Sequence, residues 1–241
     1  MKNKNIIIYL VLSIILFANY SFGDDFKFEA SEIKILDKGN IITSSGGVKI
    51  ISNDNLEITA DKSHYDKNKS ILKLEGNILI NDIKNNVKIF TNKINYFKKK
   101  EIIIAEKKVK EEIKEKYIVD SAELIFDRNL LEISSPSRTI LKDSFDNILS
   151  SEEFLFRINE DILKVKNLNL KDNENNDLFL ENAIVNLNKN EIIGKNINID
   201  FDNSLFSNNE NEPRLKGNSI VVNQNETAVY KGVFTTCKKN K

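Results

Sequence analysis

Behind Asp24 the side chains alternate between apolar and polar with a period of two, and the pattern recurs as far as Val222. Leu56-Glu57-Ile58-Thr59-Ala60 and Leu72-Lys73-Leu74-Glu75 show it first. Ile78-Leu79-Ile80, Val87-Lys88-Ile89, Leu163-Lys164-Val165, Leu168-Asn169-Leu170, Leu178-Phe179-Leu180 and Ile197-Asn198-Ile199 continue it. A period of two places alternate residues on opposite faces of an extended chain, so each segment reads as a strand with one face on a core and one in water. Asp66-Lys67-Asn68-Lys69, Glu75-Gly76-Asn77, Asp127-Arg128-Asn129 and Asn188-Lys189-Asn190 read as the turns between them. Lys107 to Lys116 competes as helix through the spacing of Val109 and Ile113. It is short and polar and reads as a strand end plus loop.

A longer period lies above this one. Tyr65, Tyr96, Phe126, Phe156 and Leu187 each close the first strand of a pair, at successive spacings of 31, 30, 30 and 31. A unit of strand, turn, strand and connection cannot bury its apolar face alone, so neighbours must stack around one continuous interior. The expected fold is all-β: strand pairs of about thirty residues stacked into an open, V-shaped β-jellyroll.

Composition narrows the function. The 241 residues hold 36 basic and 36 acidic side chains, so no net basic footprint favours nucleic acid. One Cys and one His provide neither a disulfide framework nor the usual zinc clusters, and no metal or cofactor is expected. No Gly-x-Ser-x-Gly elbow surrounds His64, and no phosphate-binding Gly loop occurs. Glu111-Glu112 and Glu152-Glu153 are neighbours that a strand sends to opposite faces, which makes them poor acid/base pairs. No enzyme is expected; a carbohydrate-active parallel β-helix is the enzymatic alternative. Lys2 and Lys4, the apolar run Ile6 to Phe17 and the small residues Ser21 and Gly23 make residues 1–23 an export signal, with an uncleaved anchor as the alternative.

Leu56-Glu57-Ile58-Thr59-Ala60-Asp61, Tyr65-Asp66 and Leu74-Glu75-Gly76-Asn77-Ile78 resemble the OstA-like N-terminal domain family, the lipopolysaccharide-transport β-jellyroll of LptA, LptC and LptD. Gly46-Gly47-Val48-Lys49-Ile50 resembles another turn of that family. The likeness spans Phe26 to Val222, which sets residues 24–225 as the jellyroll. Ala228 to Cys237 resembles the junction at which the LptD branch passes into its membrane barrel, which sets 226–241 as a tail toward a barrel that is missing. LptD cysteines normally pair, so the single Cys237 departs from that branch.

The resemblance implies a periplasmic protein that takes lipopolysaccharide from an LptA-like bridge for insertion in the outer membrane, with an LptE-like lipoprotein as partner where a barrel exists. A stand-alone LptA-like bridge and an exported structural or adhesive repeat protein are the alternatives. A two-walled β structure either closes on itself or leaves its walls parted, and parted walls would expose a groove for acyl chains. The candidate lining is Ile58, Leu72, Leu74, Ile78, Ile80, Val87, Ile89, Phe126, Phe156 and Val165, each of which also fits ordinary core. Phe26, Phe28 and Ala30 form an alternating first strand. The resemblance implies that it docks the bridge edge to edge; the alternative is a strand that caps its own domain. Lys98-Lys99-Lys100 and Lys107-Lys108 are candidates for lipid phosphates, or solvated turns.

Overall fold

The computed structural model describes residues 26–143, 147–171, 176–203 and 211–237. The proposed export signal and most of the Asn-rich stretch before Pro213 lie outside them. Six long strands follow two short ones: β1 (Phe26–Glu29) and β2 (Glu32–Leu36), then β3 (Ile41–Ser52), β4 (Leu56–Asp66), β5 (Ile71–Asp82), β6 (Val87–Phe97), β7 (Ile102–Ile113) and β8 (Tyr117–Asp127). Four short strands come next: β9 (Glu132–Ser135), β10 (Thr139–Lys142), β11 (Ile148–Ser151) and β12 (Glu153–Arg157). The chain continues through β13 (Ile162–Lys171), β14 (Asp177–Asn186), β15 (Glu191–Asp200), β16 (Arg214–Val222), β17 (Thr227–Tyr230) and β18 (Val233–Thr235). All eighteen belong to one sheet, and every pairing is antiparallel.

The long strands are interrupted at mid-length by a bulge. Register shifts fall between Ser45 and Val48 of β3, Glu75 and Ile78 of β5, and Glu106 and Val109 of β7. The skipped pairs are Gly46-Gly47, Gly76-Asn77 and Lys107-Lys108, all six at positive φ. Two successive left-handed residues bend a strand sharply, and bends in register along the sheet crease it into two walls. Elsewhere the crease is a break in the chain. β2 lies on the first wall and β1 on the second, and β9 and β12 face β10 and β11 in the same way. A carboxylate of the preceding strand, or of the β11–β12 break, holds each of three Asn-bearing bulges. Asn77 donates to Asp61 at 3.0 Å, Asn167 to Glu152 at 2.5 Å, and Asn196 to Glu181.

Glu75-Gly76-Asn77, expected to be a turn, is therefore the bulge inside one continuous strand. Polar small residues signal a break in extended chain without saying whether the strand resumes. Lys107 to Lys116 likewise remains strand to Ile113, with the bulge at Lys107-Lys108 and a turn only after it. The sheet also runs past residue 225, since β17 and β18 both pair with β16.

Side chains that face inward form ladders across the strands. On the first wall, Ile42, Tyr65, Leu72, Tyr96, Ile103, Phe126, Ile133, Phe156, Leu163 and Val185 are successive partners. This ladder explains the thirty-residue period. Tyr65, Tyr96, Phe126 and Phe156 occupy every second strand of one row, Leu72, Ile103 and Ile133 lie between them, and Leu163 follows. Leu187 falls in the turn after β14, and Val185 holds the row position instead. On the second wall, Phe28, Ile50, Ile58, Ile80, Ile89, Glu111, Val119, Leu141, Leu149, Leu170, Leu178, Ile199, Leu215 and Phe234 are successive partners. At 4.7–4.9 Å per strand this row is about 60 Å long.

Gly76 (φ +77°) has no room for a side chain, because an added Cβ would lie 2.9 Å from Cβ of Asp61, whereas Gly47 (φ +80°) faces open space. Both changes to Ala force a left-handed L-residue, at about 1–2 kcal/mol. Gly76→Ala additionally disturbs the Asp61–Asn77 bond. Urea unfolding is expected to rank Gly76→Ala as clearly the more destabilising of the two.

Candidate functional site

The two rows face each other across the fold, so the space between the walls is the one feature that runs the length of the molecule. All ten sequence-predicted lining residues lie in it. Ile58, Ile80 and Ile89 are in the second-wall row, and Leu72, Phe126 and Phe156 are in the first. Leu74 and Val165 lie one step nearer the crease on the first wall and Ile78 on the second, while Val87 lies near the rim. None is more than 5% exposed. Of the two alternatives open at the level of sequence, closed walls or parted ones, the structure has closed walls over β3–β9. The volume an acyl chain would occupy is filled by Ile, Leu and aromatic side chains. Burial weakens toward the other end: Leu170, Leu178, Ile199 and Leu215 are half-buried, and Phe234 is half exposed.

The mouth opposite the crease is held shut. Turns after β4, β6 and β8 form the first wall's rim, and turns after β3, β5 and β7 form the second's. Arg128, between β8 and β9, reaches across to Asp54 (Nη1 to Oδ2, 2.7 Å) and to Asp82 (Nε to Oδ2, 2.8 Å), and also bonds Glu101 on its own rim. Its Nη1 donates to the Tyr96 hydroxyl at 2.9 Å, which donates to Glu101 at 2.6 Å. Lys98 bridges Glu101 at 2.6 Å and Asp54 at 3.2 Å. Farther along, Lys114 of the second rim meets Asp161 of the first at 2.8 Å. Apolar contacts cross the same gap, with Phe26 edge-on to Tyr65 at 5.0 Å and Tyr117 edge-on to Phe156 at 5.7 Å.

Charges in this cluster are set by opposed effects. Burial disfavours ionised Asp54, but the hydrogen bond from Ser52 and the Arg128 guanidinium outweigh it and hold the carboxyl well below its usual range. Burial and then the bond to Glu101 push the Tyr96 phenol far up. For Arg128 burial opposes the charge, yet the bond to Asp82 and its other partners raise its pKa.

Glu111 is different in kind. It sits in the second-wall row between Ile89 and Val119, fully buried, and neither carboxyl oxygen has a hydrogen-bond partner. Burial alone pushes its pKa up to about 8. Its neighbour Glu112 faces the other way, as the alternation requires.

The remaining predicted residues divide. Phe26 is buried, and Phe28 and Ala30 pack partly against the core. β1 pairs only with β3 among the described residues, so it both caps the interior and presents the edge of the sheet. Lys98 is committed to the rim cluster, while Lys99, Lys100, Lys107 and Lys108 are exposed. His64 lies on the outer face of β4, and Cys237 is exposed and free. A concavity of about 940 Å³ lies against the first wall, lined by outward Ile125, Leu155, Lys164, Ile184 and Ile193 together with the buried Phe154, Val165 and Ala183. Sequence reasoning missed Arg128, Asp82 and Glu111. Arg128 and Asp82 stand at strand ends where a solvated charge is the default, and Glu111 takes an apolar position in Val109-Lys110-Glu111-Glu112-Ile113, where its charge hides the inward face.

Residues 16–106 match the family model described as OstA-like protein, which bears out the resemblance carried by Leu56 to Ile78. No curated protein matches the chain. Among solved structures, LptH from Pseudomonas aeruginosa, titled the LptA homologous periplasmic component of the conserved lipopolysaccharide transport device, aligns at 16% identity. That alignment covers 42% of this chain and 75% of LptH with a TM-score of 0.38, so the fold rests on the strand pairing itself.

Two outcomes are expected. Removing Arg128 with Arg128→Ala leaves fully buried Asp82 without its cation, at about 3–5 kcal/mol of stability, measurable by urea unfolding. Glu111 is protonated in the folded state up to about pH 8 and ionises from its ordinary 4.5 when unfolded. The folded protein therefore binds the extra proton between those values, and stability falls as pH rises through them, by about 1.4 kcal/mol per unit at most. Glu111→Leu is expected to abolish that slope and to stabilise the protein at pH 8.

Proposed function

We propose that this chain is a periplasmic component of lipopolysaccharide transport whose two walls part to hold acyl chains along the interior rows. The observation that carries the reading is the second-wall row: fourteen strands contribute inward side chains, and thirteen of these are apolar. A ligand that moves along such a row exchanges one apolar contact for another at nearly constant energy, as transport requires. Burial is worth about 0.8 kcal/mol per methylene, so a few chains bind firmly even when partly covered. The OstA-like match over residues 16–106 supports the same assignment.

Because the walls touch over β3–β9, loading must open the mouth, and the half-buried second-wall row of β13–β18 is where the interior is most accessible. Residues 1–23 serve as the export signal. The free edge of β1 receives the LptA-like bridge, and the end of the chain that carries Cys237 faces the outer membrane. These assignments place the protein with the LptD branch, the likeness of Ala228 to Cys237 being their support. The complete burial of the predicted lining favours a second reading, an exported structural repeat protein with a permanent core.

Photo-crosslinking separates the two. A photo-reactive residue at Leu74 or Ile89 is expected to capture lipopolysaccharide in cells, and one at Lys73 or Lys88, on the outer face of the same strands, is not. Equal capture on both faces, or none on either, sinks the transport reading and leaves the structural one.

A further inference from the structure

Packing accounts for every inward residue of the second-wall row except Glu111. Its flanking partners are Ile89 and Val119, and its own strand presents Val109 and Ile113 to the same interior. No charged group contributes to its ionisation; burial is the whole cause. A carboxyl without partners in such surroundings weakens the closed protein, since a buried polar group left unpaired forfeits the hydrogen bonds it makes in water. An aliphatic side chain there would do better. The same deficit has a consequence for anything that enters between the walls. An occupant with a hydrogen-bonding group at this level gains a bond that the closed protein lacks, and a plain hydrocarbon chain leaves the carboxyl orphaned.

We propose that Glu111 is a specificity-determining residue of the interior, holding a neutral hydroxyl or amide group borne on an acyl chain. This rests on the reading that the interior takes acyl chains, and it names which chains. Geometry selects a neutral partner, because the row offers no counter-charge and a protonated carboxyl both donates and accepts, as a hydroxyl or amide does. The discrimination is asymmetric in a useful way. Sites built around a buried polar group reject the analogue that lacks its partner far more strongly than apolar pockets distinguish methylenes.

Test ligands are tetradecanoic acid and its mono-hydroxylated counterparts, with the hydroxyl near the head, at mid-chain or near the tail. Binding to the signal-cleaved protein is measured at pH 7 by displacement of a fluorescent fatty acid. At least one hydroxylated chain is expected to bind wild type about fivefold or more tightly than the plain chain. Glu111→Gln, which keeps a donor and an acceptor, should retain the preference. Glu111→Leu should lose it while holding tetradecanoic acid as well as wild type does, and urea unfolding of this more stable variant checks that it is folded. Tight binding of tetradecanoic acid with no preference for any hydroxylated chain, or a preference that survives Glu111→Leu, overturns this inference alone. Failure of every chain to bind overturns the acyl-chain reading together with it.

Discussion

The crease is the constraint from which the rest of the molecule follows. A sheet of eighteen antiparallel strands could lie flat with one face in water, but it would then expose an apolar row about 60 Å long. Pairs of left-handed residues at Gly46-Gly47, Gly76-Asn77 and Lys107-Lys108 fold the sheet on itself, so each wall covers the other. Lysine has no glycine-like freedom at positive φ, and two in succession cost about 1–2 kcal/mol each. That strain is affordable only because the bend buries Val109, Ala105 and Ile103 on either side of it. Gly46-Gly47 does the same work without that cost in β3, and in β5 Gly76 shares it with Asn77, whose short amide suits the left-handed region and bonds Asp61 of the neighbouring strand.

Folding by a crease leaves a mouth, and here the chemistry differs. At the crease the walls are joined by the continuous backbone of the long strands, whereas across the mouth the described contacts are between side chains. Arg128 is nearly buried and shares three carboxylates and a phenol, so its loss is costly, but on opening water could solvate the carboxylates, and an anionic group could accept from the guanidinium in their place. A closure of this kind is firm at rest and reversible in principle. The hydrophobic contacts beneath it, Phe26 on Tyr65 and Tyr117 on Phe156, are of the sort that an acyl chain would replace in kind.

Much of this was legible in the sequence, for a definite reason. Alternation reports which face of a strand is buried, and the recurrence of Tyr65, Tyr96, Phe126 and Phe156 reports two strands per thirty residues, because those four occupy every second strand of one row. The Ala60-Asp61 and Gly76-Asn77 motif was also visible, yet its meaning was not: Asp61 accepts from Asn77 across the crease, a contact between strands that no single segment displays. For that reason the bulge reads as a turn in the sequence, and β5 as two strands. The ion cluster was hidden by distance. Arg128 lies 46 residues from Asp82 and 74 from Asp54, and only the fold makes them neighbours.

The gradient of burial along the rows gives the molecule a direction that its repeats do not. Ile50, Ile58, Ile80 and Ile89 are sealed under the rim cluster, and β1 covers their end with Phe26. Beyond Leu149 the same row is only partly covered, and the last residue, Phe234, stands half exposed against Phe201. The ion pairs Asp54–Lys98 and Lys114–Asp161 cross the mouth over the sealed part, whereas the second-wall row is least covered at β13–β18. Glu111 lies within the sealed part, three row positions before its last buried residue: Val119, Leu141 and Leu149 follow it. A chain that advanced from the loose end would have to displace the contacts of Leu149, Leu141 and Val119 before it reached that carboxyl, so the interior can distinguish one chain from another only after part of the sealed stretch has opened.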